Sequence, residues 1–327
     1  MTDHRPGGLE LPMRDLRRFK PTCREPHDFE AFWANQLAEA RMTDRAPTVV
    51  QAQTPLRTID SFSVEFPGWQ SQPINAWLHL PRGLCEPLPA VVEFSGYGQG
   101  RGLVHERTLY AQAGYAHLVV DARGQSGALE RCDTPDISPT PLDSASVMTR
   151  GLAGPAEFYF TRLIVDAVRA VDFMRSHAAV EPHRTAVAGS SQGGGLALAV
   201  GALVEDVAAV CADVPFLCHV WRGMALASEG PYVELHAHLS RRPELAERAR
   251  TTYGYVDGMH FARHGRAPAL FSVGGEDGVC PPSTTFAAFN HYQGPKDIRV
   301  YPHNGHEGGT GLQAIARLEF IDTILRG

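Results

Sequence analysis

Two hydrophobic rhythms divide the chain. Phe62, Val64 and Phe66 alternate with polar neighbours, and after the turn region at Pro67-Gly68 the residues Ile74, Ala76, Leu78 and Leu80 alternate again. Period two on both sides of a turn predicts two antiparallel strands within residues 58–80. Beyond Pro87 the runs become short and continuously apolar, at 90–94, 117–120, 185–188, 208–212, 269–273 and 298–301. Such runs, spaced by helical segments, predict a parallel sheet buried on both faces. Between the second and third runs, Phe160, Leu163, Ile164, Ala167, Val168, Val171 and Met174 recur at intervals of three and four, which predicts a helix. Phe29, Phe32, Trp33 and Leu37 give an earlier helix one apolar face for docking.

The pattern predicts a single α/β domain over residues 1–327, with a mostly parallel central sheet, flanking helices and antiparallel N-terminal strands. Residues 1–48 form an N-terminal extension, Pro- and Arg-rich and irregular over 1–27. Two segments exceed ordinary connections. Residues 127–156 are rich in Pro, Ser, Thr and Asp, too long for a plain strand-to-helix link. Residues 215–266 hold a helical-looking stretch from Pro243 to Arg250 and an aromatic, His-rich flank from Tyr232 to His238. An insertion at that point is expected to form a lid over the carboxyl ends of the strands, where open α/β sheets bind their ligands.

Composition narrows the function. A net charge of −6 argues against nucleic-acid or anionic-membrane partners. The six cysteines are scattered with no Cys-x-x-Cys pair, which suggests neither a zinc site nor a disulfide framework. The N-terminal stretch has no uninterrupted apolar core of the signal-peptide kind, and a reduced cytoplasmic protein is expected. No cofactor or metal is called for.

The run 185–188 leads directly into Gly189-Ser190-Ser191-Gln192-Gly193 and then an apolar helical pattern. Strand, sharp turn and helix are the context of the Gly-x-Ser-x-Gly nucleophile elbow, with Ser191 as the exposed serine. A serine hydroxyl needs a base to take its proton, and the base needs an acid to orient it. In this architecture the order is Ser, then Asp or Glu, then His. Asp277 follows the run 269–273 within Gly274-Gly275-Glu276-Asp277-Gly278, and His306 follows the run 298–301 in another Gly-flanked loop. Asp213 and Glu276 are the alternative acids, and His303 the alternative base. His105, His117, His236, His238, His260 and His264 read as surface or lid residues. The oxyanion donors expected are the backbone N–H groups of Gln192, next to the serine, and Tyr97, in the Gly-rich loop Ser95 to Gly100. Tyr97, Phe216 and Val279 are the expected walls of a small acyl pocket.

These residues also resemble a known family, the acetyl xylan esterase and cephalosporin C deacetylase family, the seventh family of carbohydrate esterases. The resemblance runs through Asp28-Phe29-Glu30-Ala31-Phe32-Trp33, Gly96-Tyr97-Gly98, the elbow, residues 213–217, residues 277–283 and the segment from Arg299 to Gly309. It implies an α/β-hydrolase fold and a triad of Ser191, Asp277 and His306, with oxyanion donation from Tyr97 and Gln192. It also implies deacetylation of small acetylated substrates such as xylo-oligosaccharides or cephalosporin C, and assembly into a hexamer with sites facing an internal cavity. An acyltransferase or thioesterase acting on a natural-product intermediate is the alternative reading, and a non-catalytic receptor the remaining one. One position departs from the family's Arg-Gly-Gln-Gly signature, which stands here as Arg123-Gly124-Gln125-Ser126. If that fourth position has a positive φ, serine there is strained by roughly 1–2 kcal/mol.

Overall fold

A computed structural model describes residues 10–83, 87–125, 130–137 and 146–327. One nine-stranded sheet runs through it, built from β1 (Thr48–Gln51), β2 (Ile59–Pro67), β3 (Pro73–Pro81), β4 (Leu88–Phe94), β5 (Ala116–Val120), β6 (Val180–Ser190), β7 (Ala209–Asp213), β8 (Ala269–Gly274) and β9 (Lys296–Tyr301). The order is β1-β2-β3-β5-β4-β6-β7-β8-β9. The first three strands and β5 pair antiparallel. From β5 onward every pairing is parallel. Both predicted rhythms thus match the sheet: period two where one face is only half-buried, continuous apolar runs where helices cover both.

Two edges differ from the sequence reading. β1 was not predicted, because Thr48-Val49-Val50-Gln51 is short and exposed at every position, so no buried face marks it. β9 is not buried on both faces; Lys296, Asp297 and Arg299 are exposed because it closes the sheet. Residues 10–27 are not wholly irregular either, since Met13–Leu16 makes one helical turn.

The helix Tyr159–Ser176 lies across the sheet with fourteen buried residues, Phe160, Leu163, Ile164 and Val168 among them. The helix Phe29–Arg41 buries Phe29, Trp33, Leu37 and Ala40. Its Trp33 indole N–H donates to the Tyr255 carbonyl at 3.0 Å. Between β7 and β8 come the helices Val220–Leu226, Pro231–Arg241, Ala246–Gly254 and Gly258–His264. The last is core, not cover: Met259, His260, Phe261 and Ala262 are buried. His260 is therefore no surface residue, and its Nδ1–H reaches the Gly254 carbonyl at 2.6 Å. His117, also expected at the surface, is fully buried on β5, where Nε2 meets Glu93 Oε2 at 2.9 Å. A carboxylate partner makes an interior histidine tolerable.

Candidate active site

β6 ends at Ser190, and the next residue turns the chain back into the helix Gln192–Leu203. Ser191 has φ 58° and ψ −119°, outside the region that residues with side chains prefer. Holding it there costs on the order of 1–3 kcal/mol. The two glycines make the turn feasible. A Cβ on Gly189 would overlap the backbone of Gly193, and one on Gly193 would overlap the Phe94 carbonyl. The Ser191 N–H donates to the Asp213 carbonyl at 2.9 Å, anchoring the turn to β7.

Two further loops reach this turn from the carboxyl ends of β8 and β9. His306 Nε2 stands 2.8 Å from Ser191 Oγ, and His306 Nδ1 stands 2.9 Å from Asp277 Oδ2. The other Asp277 oxygen, Oδ1, accepts the N–H groups of Val279 and Cys280, each at 2.8 Å. Asp277 is thus buried, fixed by its own loop, and presents one oxygen to the imidazole. With the proton on Nδ1, Nε2 is free to accept from the serine.

The alternatives lie elsewhere. Asp213 accepts from Gln313 Nε2 at 2.6 Å and pairs with Arg317 at 3.3 Å. Glu276 faces outward beside the exposed His303.

The loop after β4 carries the other half of the site. Ser95 Oγ is bonded to the carbonyls of Gly100 (3.0 Å) and Val120 (2.8 Å). The Gly96 N–H donates to Gln99 Oε1 at 3.0 Å, and the Gly98 N–H to Gln125 Oε1 at 2.6 Å. Between them, the Tyr97 N–H has no acceptor among the described residues, and neither does the Gln192 N–H at the helix start. The Gln125 amide joins these two segments, since its Nε2 donates to Gln192 Oε1 (2.6 Å) and to the Tyr159 hydroxyl (2.8 Å). Gln192 Nε2 in turn lies 3.3 Å from the carbonyls of Ser95 and Gly96. Gly124 has φ +62°, and Arg123 is locked to Asp166 by Nε and Nη2 at 2.5 and 2.7 Å. The Arg-Gly-Gln signature is therefore a brace behind the loop. Ser126 lies outside the described residues, as does part of segment 127–156.

A cavity of about 550 Å³ opens onto Ser191 and His306. Its lining combines Gly96, Tyr97, Gly230, Pro231 and Val279 with the polar and charged side chains of Glu93, Gln99, Arg107, Glu307 and Arg317. Tyr97 and Val279 line this cavity. Phe216 does not line the cavity: it is fully buried behind Tyr97, ring centroids 6.4 Å apart, and packs on Tyr232 at 4.6 Å. The segment 215–266 reaches the cavity only through Gly230 and Pro231.

The Tyr97 hydroxyl donates to Glu234 Oε2 at 2.9 Å, pinning the loop to the helix Pro231–Arg241. Burial foremost, with the Glu234 charge, raises the Tyr97 phenol well above its ordinary range, so it stays a donor. Sequence reasoning missed this charged part of the lining. Its one signal was Glu93, a lone carboxylate inside an apolar strand; Arg107 and Arg317 carry none.

The family model for acetyl xylan esterase matches residues 8–324, nearly the whole chain. The chain belongs to the acetyl xylan esterase family. Among solved structures, acetyl xylan esterase from a Paenibacillus species superposes with a TM-score of 0.91 at 37% identity, covering 96% of this chain and 100% of that one. Acetyl xylan esterase 1 from a Thermoanaerobacterium species gives 0.88 at 28% identity, covering 97% and 99%. The acetyl esterase Axe7A of Xylanibacter ruminicola is 27% identical over 307 residues, 88% of this chain and 65% of that protein. The chain spans about two thirds of that relative's length.

Proposed function

We propose that this protein is a serine esterase that removes acetyl groups from small acetylated alcohols and sugars through an acyl-enzyme on Ser191. The observation that carries the reading is the aligned set of Ser191 Oγ, His306 and Asp277, with contacts of 2.8 and 2.9 Å, in a chain of this family. His306 Nε2 takes the serine proton as Oγ attacks the ester carbonyl. The tetrahedral oxyanion accepts from the N–H groups of Tyr97 and Gln192, each such donor being worth about 2.7–4 kcal/mol of transition-state stabilisation. Collapse expels the alcohol, which takes the proton back from His306. Water then repeats the sequence on the acyl-enzyme and releases acetate. Asp277 holds the imidazole in its tautomer and offsets the charge it gains.

The acyl group lies against Tyr97 and Val279, with Gly230 and Pro231 closing the wall as a lid. Phe216, packed behind Tyr97, keeps that wall from yielding to a longer chain. Acetylated xylo-oligosaccharides and cephalosporin C are the substrates to try first. Assembly into a hexamer belongs to the same proposal through the family resemblance, and light scattering reads it directly. A reduced, cytoplasmic setting fits the free thiols of Cys23, Cys132, Cys211, Cys218 and Cys280.

The test is acetate release from those two substrates, with a nitrophenyl ester series beside it. Acetate and propionate esters should be turned over fast and octanoate at least a hundredfold more slowly. No acetate release, or octanoate as fast as acetate, overturns the reading.

A further inference from the structure

The loop that carries Asp277 is held at both ends. At its start, the Gly275 and Glu276 N–H groups donate to the carbonyls of Tyr301 (2.8 Å) and Asn304 (2.9 Å), on the strand and loop that lead to His306. At its end it runs into the helix Pro282–His291, whose cap position, Pro281, has no side-chain acceptor for the free N–H groups of the first turn. Glu10 supplies that acceptor from the far end of the chain. Its Oε2 accepts from the Ser283 N–H at 3.0 Å and from the Ser283 hydroxyl at 2.8 Å. Arg222, on the helix Val220–Leu226, donates from Nε to Ser283 Oγ at 2.5 Å and lies 3.5 Å from Glu10 Oε1. Ser283 is fully buried, and the Glu10 side chain is only 15% exposed. A carboxylate at this point also meets the positive end of the helix dipole.

Between this clamp and the triad there is little slack. Asp277 Oδ1 accepts the N–H groups of Val279 and Cys280, so the carboxylate moves with that stretch of backbone. Only Pro281 and Pro282 separate Cys280 from Ser283, and each ring fixes its φ near about −65°. A shift of Ser283 is therefore passed on to Oδ2, the oxygen that meets His306 Nδ1 at 2.9 Å. The N-terminal segment has a second anchor on the same helix. Asn290 Nδ2 donates to the carbonyls of Leu16 (3.0 Å) and Phe19 (2.8 Å), in the last turn and away from the acid loop.

We propose that Glu10 is a positioning residue of the triad. It fixes the start of the helix and, through Pro281-Pro282, the carboxylate that orients His306. The inference rests on the esterase reading above and adds a residue on which the geometry of the triad depends.

The experiment measures kcat and KM for nitrophenyl acetate on the full chain, across the pH range in which histidine titrates. Glu10→Ala should lower kcat at least fivefold with KM within twofold. It should also move the acid limb of the kcat profile to lower pH, because an imidazole with a poorly placed carboxylate holds its proton less firmly. Glu10→Gln keeps one acceptor oxygen for Ser283 and should fall between Glu10→Ala and the parent. Asn290→Ala loosens the same N-terminal segment at its other anchor and should leave kcat and the profile unchanged. Thermal unfolding of each variant certifies that it is folded at the assay temperature. An unchanged kcat with an unmoved acid limb in Glu10→Ala overturns the proposal, and so does an Asn290→Ala variant that moves both as far. Where Glu10→Ala does not fold, Glu10→Gln decides, and parental values there overturn the proposal. A parent protein that does not hydrolyse nitrophenyl acetate would instead sink the esterase reading, and this inference with it.

Discussion

Gln125 Nε2 donates to Gln192 Oε1 at 2.6 Å, so the chain that follows β5 grips the residue next to Ser191. The same amide holds the Gly98 N–H through Oε1 at 2.6 Å. One side chain therefore sets the spacing between the two segments that carry the proposed oxyanion donors. Gln125 touches no reacting atom; it is a positioning residue. Gln125→Ala should lower kcat on nitrophenyl acetate about tenfold, less than outright loss of an oxyanion donor, with KM changed little. It should also destabilise the fold by about 1–3 kcal/mol, because buried amide groups lose partners. Steady-state kinetics and urea unfolding check both, and an unaltered kcat contradicts the bracing role.

Asp277 offers His306 a single carboxylate oxygen, the other being occupied by two backbone N–H groups. In Asp277→Asn, an amide nitrogen facing Nδ1 favours the tautomer with its proton on Nε2, which cannot accept from Ser191. The expected loss in kcat is about 10⁴-fold. A loss of tenfold or less would show that another group orients the base.

Glu93 supplies a pH prediction. Burial alone would raise its carboxyl above the ordinary 4.5. The hydrogen bond with His117 and the charges of Arg107, His117 and Arg317 more than offset this, bringing it down to about 2. A carboxyl depressed in the folded state adds stability above its unfolded value, and that stability is lost as pH falls through the folded one. The difference amounts to on the order of 3 kcal/mol near neutrality. Glu93→Gln should therefore cost stability at pH 7, and the gap to the parent protein should close between pH 4.5 and 2. Denaturant titrations across that range read it; a gap that is constant with pH contradicts the assignment.

Much of this was legible in the residues because local physics dictates it. A parallel strand buried on both faces must be apolar throughout, so five runs marked β4 to β8, while the sixth marked the edge strand β9, which is buried on neither side throughout. A turn as tight as that at Ser191 needs Gly189 and Gly193 whatever surrounds it. Asp277 and His306 were findable because each follows a strand in a Gly-flanked loop. What escaped depends on contacts far apart in sequence. The place of Gln125 between Gly98 and Gln192, and of Arg317 beside Glu93, follows from how strands and helix stack, which no local pattern encodes. Phe216 reads from the sequence as a pocket wall. The structure seats it one layer deeper, since Tyr97 stands in front.

Ser191 is the proposed nucleophile for acetyl esters. A fluorophosphonate should modify this serine alone, with acetyl ester hydrolysis lost in step with labelling, and Ser191→Ala should neither label nor turn over. Modification at a different residue, or turnover that survives Ser191→Ala, would contradict it.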